Sequence, residues 1–262
     1  MESCLAKAEE NSYTQRKSAL VVNYIRQQSA GDVLRNMFAI YGKGFGVIFL
    51  TYLLPIIPFS IWQTEASAAR ATGSWLIAFF LGTIVRLLAF GAITISVSDI
   101  CLGNAPSLIR SYKKVFRLFV KMFTASFLQL MFDLIGLVLL IVPGVIAILW
   151  FMFTPCVVVL EGLGGLTALK RSKAIGQGYN WRNLGIIVLL IVIWIVIYVI
   201  LAVPFVLLFP HAVGHFGARL FEVIVGSLGA PLTIIGIVLM YYDLRVRKEA
   251  YDAAALAEDL RR

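Results

Sequence analysis

The chain has 262 residues, 60% hydrophobic and 14% charged, with a mean hydropathy of +0.90 and a formal net charge of +9. Soluble domains carry roughly 45–50% apolar and about 25% charged residues, so this composition excludes an ordinary soluble globular protein. Apolar runs of about 20 residues, each able to cross a ~30 Å hydrocarbon core, recur along it. Backbone groups in lipid need partners within their own segment, so the runs are read as helices, and the period-two alternation of a membrane barrel is absent.

Residues 1–43 are read as a cytoplasmic amino-terminal tail ending in an interfacial helix. Up to about residue 30 the tail is charged and unpatterned, and is expected to be loose and to end in a short helix. Gly31-Asp32 then caps a helix over Asp32–Lys43. The polar start argues against a cleaved signal peptide. A transmembrane domain over 44–243 follows. Its first span covers about Gly44–Gln63, with kinks expected at Pro55 and Pro58. After a short loop with Glu65 and Arg70, the second span runs over Ser74–Val97 and carries Arg86 near its middle. The basic helical stretch SLIRSYKKVFRLFVK leads into a third span, Met122–Val142, which contains Asp133.

Pro143-Gly144 reads as the turn of a tight hairpin into a short fourth span, Val145–Leu160. From Pro143 to Arg182 the chain leaves the membrane at Glu161 and passes a glycine cluster. It then forms a basic interfacial helix around Ala168–Ser172 and re-enters after Arg182. The glycines lack the spacing of a phosphate loop and are read as a helix break. The fifth span is Asn183–Phe209, and the sixth is Leu220–Met240, interrupted at Gly229-Ala230-Pro231. Residues 244–262 form a cytoplasmic carboxy-terminal helix with charges at helical spacing.

Charge supports this topology. Twenty of the 23 Lys and Arg residues fall before span one, between spans two and three, between spans four and five, or after span six. The positive-inside rule then puts both termini in the cytoplasm of a multi-pass protein of the inner or plasma membrane. Basic residues that flank spans point to anionic lipid headgroups rather than nucleic acid. Cys4, Cys101 and Cys156 are few and widely separated, so no disulfide framework is expected.

The fold class is therefore all-α, with six transmembrane helices and interfacial amphipathic helices. Three segments, LRNMFAIYGKGFGVIF, IRSYKKVFRLFVKMF and KRSKAIGQGYNWRNLGIIV, each place Arg beside Asn or Ser ahead of a span. They suggest three helix-plus-hairpin repeats.

Arg86 and Asp133 are the deepest charges. Each costs about 2.5–3.5 kcal/mol at a helix centre on insertion scales, so each needs a partner, and an Arg86–Asp133 pair is expected to fix helix register or line a pathway. Glu222 lies close enough to a span end to reach water. His211 and His215 stand four apart without a third ligand, so no metal and no cofactor are expected. No HExxH or GxSxG occurs and neither histidine has a neighbouring nucleophile, so no catalytic site is expected and the protein is read as a non-enzyme.

Pro143-Gly144, Trp150, Pro155, Glu161-Gly162, Ala168-Leu169-Lys170-Arg171-Ser172, Pro231 and the run from Tyr242 through Asp243 to Glu249 with Asp252 carry a resemblance. On these residues the chain resembles the membrane domain of glycerophosphoryl diester phosphodiesterases, a family related to the YciC-like inner-membrane proteins. The resemblance implies a six-helix bundle of largely unassigned function, fused in some relatives to a soluble phosphodiesterase domain. Neither that domain nor its catalytic His-Arg and acidic residues are found in these 262 residues, so the enzymatic label is not carried over.

Two functions are compatible with the sequence. One is a non-enzymatic module supporting envelope or lipid-related membrane proteins, with Lys170, Arg171, Arg245 and Arg247 as a cytoplasmic rim for lipids or a protein partner. The other is a small transporter or flippase-like protein that uses Arg86 and Asp133.

Overall fold

The computed structural model describes residues 24–68, 74–139, 141–209 and 216–261; Cys4, Arg70, His211 and His215 lie outside them. Among the described residues the chain forms ten helices and no strands. They are α1 (Ala30–Ala68), α2 (Ser74–Cys101), α3 (Leu108–Arg117), α4 (Phe119–Leu139), α5 (Ile141–Phe151), α6 (Thr154–Glu161), α7 (Gly165–Gly176), α8 (Asn180–Leu208), α9 (Phe216–Glu249) and α10 (Ala253–Arg261). Among the described residues, six stretches are long and apolar enough to cross a membrane: Ala30–Ser60, Ile77–Cys101, Phe119–Val138, Val142–Glu161, Asn180–Leu208 and Leu220–Glu249. This is a multi-pass all-α membrane protein. Exposed apolar side chains such as Ile135, Val138, Val199 and Leu207 cover the outward faces of α4 and α8, as a lipid solvent requires.

Three short helical segments each precede a pair of spans: the start of α1, then α3, then α7. In each, the small polar residue beside the arginine is buried and bonded. Asn36 donates to the Gln28 side chain at 3.0 Å, Ser111 shares a hydrogen bond with Ser96 at 3.1 Å, and Ser172 donates to the Trp150 carbonyl at 2.7 Å. The recurring Arg-Asn/Ser pair thus has a physical reason. The small polar side chain docks the short helix on the bundle.

Several boundaries differ from the sequence reading. The first interfacial helix and first span are one helix, broken by non-helical backbone at Gly44 (φ −110°, ψ 15°). Through Pro55 and Pro58, where the sequence predicts kinks, the backbone stays helical. A proline at 55 cannot donate to the carbonyl of Thr51 one turn earlier, which leaves that oxygen without its helical partner. The Tyr112 hydroxyl of α3 donates to the Thr51 carbonyl instead and satisfies it. Burial pushes the Tyr112 hydroxyl up to about 12, so it stays protonated as the donor.

Pro143-Gly144 is not the turn itself. Helix α4 ends at Leu139, and Pro143 sits in the first turn of α5, where a missing N–H has no helical acceptor to lose. Gly144 serves close packing instead, since a Cβ there would lie 2.9 Å from the Leu137 Cα across the hairpin. The fourth span divides into α5 and α6, with Pro155 in the first turn of α6. Span six is not interrupted at Gly229-Ala230-Pro231. Helix α9 runs unbroken past Met240 to Glu249, because one proline removes a single hydrogen bond and neighbouring helices hold both halves. The carboxy-terminal segment is consequently the end of α9 plus a separate α10. Ala250, with φ +49°, is the joint between them.

The buried core gathers where α1, α2, α6, α7 and α9 meet. Met37, Ile93, Phe153, Leu160, Leu169, Tyr241 and Tyr242 are all enclosed there. Between helices in lipid, van der Waals packing and hydrogen bonds hold the bundle, since the tails are as apolar as the side chains.

A double-mutant cycle tests the proline account. Tyr112→Phe should cost about 1–3 kcal/mol in an otherwise native chain by orphaning the Thr51 carbonyl. It should cost much less in a Pro55→Ala background, where the alanine supplies its own N–H. Equal costs in both backgrounds, read by thermal unfolding in detergent, would contradict it.

Candidate functional site

Two linked polar networks occupy the end of the bundle where the basic segments converge. At the centre of the first is Asp243 on α9, fully buried. Its carboxylate pairs with Arg182 of α8 at 2.8 Å and with Arg247 one turn along α9 at 3.0 Å. It also accepts the backbone N–H of Gln28. The Gln28 carbonyl in turn accepts from Arg182 at 2.7 Å and Arg247 at 3.0 Å, and its side chain bonds Tyr24 and Asn36. The segment before residue 30 is therefore anchored from Tyr24 onward, where the sequence suggests a loose tail. Two guanidinium groups and a backbone donor together satisfy a carboxylate that would otherwise be costly to enclose.

The second network starts at Glu161, the last residue of α6, beside the left-handed Gly162 (φ +69°) that ends the helix. Glu161 accepts from Arg171 of α7 at 2.7 Å and from the Tyr241 hydroxyl at 2.7 Å. Arg171 also donates to Glu249 at 2.8 Å, and Arg245 bridges Glu249 at 3.1 Å and Asp259 of α10 at 2.8 Å. The guanidinium of Arg245 lies 3.7 Å over the Tyr251 ring, and the Tyr251 hydroxyl donates to Asp259 at 2.8 Å. Hydrogen bonding to Glu249, with help from Glu161, holds the Arg171 guanidinium above even its usual high range despite partial burial. Burial, and then the bond to Asp259, pushes the Tyr251 hydroxyl up as well.

The four cations of the expected outward rim therefore divide. Lys170 is exposed. Arg171, Arg245 and Arg247 turn onto carboxylates, and the Arg245 side chain is only 11% exposed. Those three hold helices together, so they do not form a free cationic surface. Glu161 and Asp243 stand at the centres of the two networks, and Ser172 bonds the Trp150 carbonyl beside them.

A cluster of cations on α3 faces a groove instead. Arg110, Lys113, Lys114 and Arg117 stand at i, i+3, i+4 and i+7, with Leu260 and Arg261 of α10 across from them, around a groove of about 620 Å³. Ser111 and Val115 anchor the opposite face of α3 in the core. Lys114 donates to the backbone carbonyls of Asp259 (3.3 Å) and Leu260 (2.9 Å), which ties the end of α10 to the groove wall. Burial, and then repulsion from Arg110, holds the Lys114 ammonium below its usual range. Asp99, fully buried at the end of α2, lies 3.5 Å from Arg110, and neither of its oxygens has a hydrogen-bond partner among the described residues. Beside the cations, Ile109 (78% exposed), Phe116 (61%) and Val120 (70%) project outward. The α3 segment thus presents mixed basic and apolar surface, the pattern of a helix lying in a membrane interface.

Arg86 and Asp133 do not meet. Arg86 opens on a cavity of about 200 Å³ lined by Tyr52, Ser60 and Glu222, and hydrogen-bonds with Tyr52. Asp133 bonds Gln129 on its own helix, and its Oδ1 has no hydrogen-bond partner among the described residues. Among those residues no ion pair joins the two. The sequence reading puts the two residues at similar depth on antiparallel spans, but depth along a helix does not fix the direction in which a side chain points.

Sequence reasoning missed Gln28, Asp99 and Asp259. Gln28 lies in a polar segment with no apolar period around it, Asp259 reads as one more charge of a solvent-facing helix, and Asp99 reads as part of the connection beyond the second span. The i, i+4 spacing of Asp243 and Arg247 is the one readable signal.

No protein-family model matches the chain, and no solved structure matches it.

The absence of an Arg86–Asp133 pair has a measurable consequence. The stability losses of Arg86→Leu and Asp133→Leu should add within about 0.5 kcal/mol in the double variant. A double variant clearly more stable than that sum would restore the pair.

Proposed function

We propose that this chain is a non-enzymatic module of the inner or plasma membrane, with both termini in the cytoplasm, whose basic end holds anionic phospholipid headgroups in support of envelope or lipid-related membrane proteins. The observation that carries the reading is the α3 groove, where Arg110, Lys113, Lys114, Arg117 and Arg261 converge beside exposed apolar side chains. Each Lys or Arg near an anionic surface contributes about 1 kcal/mol of attraction, so several on one helix face give a strong local preference. The clustering of 20 of 23 basic residues in alternate connections and termini supports the cytoplasmic assignment. The resemblance to the glycerophosphoryl diester phosphodiesterase membrane domain, carried by Glu161, the Lys170-Arg171-Ser172 run and Asp243, supports a membrane module rather than an enzyme. Glu161, Arg171 and Asp243 fall within the two carboxylate networks, which gives those motif residues an architectural reason.

The transport reading has less support. A pathway using both Arg86 and Asp133 needs one cavity reaching both, whereas the Arg86 cavity is lined by residues of α1, α2 and α9.

Native mass spectrometry of the purified protein with retained lipids tests the proposal. The Arg110/Lys113/Arg117→Gln variant should lose at least about two-thirds of its co-purified anionic lipid, while Lys170→Gln retains it. Full retention by the triple variant would contradict the assignment of the groove.

A further inference from the structure

Resting on the headgroup reading above, we infer that the groove between α3 and α10 selects a lipid headgroup carrying two phosphates over one carrying a single phosphate. Arg110 and Arg117 are seven residues apart on one helix face, about 10 Å along its axis. Two phosphates joined through a short bridge match that spacing, with one arginine extended to each. Lys113 and Lys114 fall between them. Arg261 stands on the opposite wall, placed there because Lys114 holds the Asp259 and Leu260 carbonyls.

Charge leads to the same ligand. Five cations line the groove. Asp99 lies 3.5 Å from Arg110, and Asp259, already engaged by Arg245, also acts on Lys114. Even with both carboxylates counted, the surplus exceeds what one phosphate monoanion neutralises. Arginine suits the two ends of the stripe, because its planar fork binds phosphate oxygens in pairs.

A membrane lipid fits better than a soluble diphosphate because of what flanks the cations. Ile109 and Phe116 project outward at i and i+7 beside the cations, and Val120 follows in the first turn of α4. In water they would be an exposed apolar stripe, whereas at the interface they enter the acyl region while the basic side chains reach the phosphates.

Native mass spectrometry with titrated lipid tests this on the intact protein. Cardiolipin, with two phosphates, is compared with phosphatidylglycerol, with one, at equal total phosphate. Cardiolipin should bind at least about tenfold more tightly, with one copy per protein. Arg117→Gln should weaken cardiolipin binding more than phosphatidylglycerol binding and reduce that preference below about threefold. Equal affinities at equal phosphate would overturn this inference and leave the headgroup reading standing. Binding of neither lipid would overturn both. Displacement of cardiolipin by equimolar inorganic pyrophosphate would identify a soluble ligand and overturn the lipid assignment.

Discussion

One buried carboxylate organises the basic end of this bundle. Asp243 sits without solvent contact on the last membrane helix, and three separate parts of the chain converge on it: the Tyr24–Gln28 segment, the start of α8 and the next turn of α9. Enclosing a carboxylate is costly unless cations and donors surround it, and breaking such a set leaves an uncompensated charge. The arginines must therefore stay turned inward. Because lipid offers helices no hydrophobic reason to associate, the bundle depends on this polar joint and the packed core beside it.

A division of labour among the basic residues follows. Arg171, Arg182, Arg245 and Arg247 are fixed by Glu161, Asp243, Glu249 and Asp259. They give the end of the molecule its shape. The α3 cations stand outside those carboxylate joints; Arg110 faces Asp99, yet its side chain is still 57% exposed. A count of charges treats the two groups alike, although only the second has cations outside the carboxylate joints.

The span count, the helix-plus-hairpin order and the break at residue 44 were legible because hydropathy and length decide them. Fine boundaries failed where prolines were involved. At Pro55 the hidden element is Tyr112, 57 positions later, which satisfies the freed carbonyl of Thr51. The Arg171, Arg245 and Arg247 assignment failed for a related reason. A sequence reveals the sign of a side chain's charge, while its partner comes from another helix, as Glu161 does for Arg171 and Asp259 for Arg245. Arg86 and Asp133 show the same limit, since matching depth does not establish matching direction.

Hydrogen-exchange mass spectrometry on the wild type and Asp243→Asn in lipid nanodiscs tests the central role of Asp243 most directly. Loss of the charge should deprotect residues 24–29 together with the α7–α8 junction around residues 177–183, while the helices around the Arg86 cavity exchange as before. Unchanged protection of both segments would contradict the account, as would deprotection of one without the other.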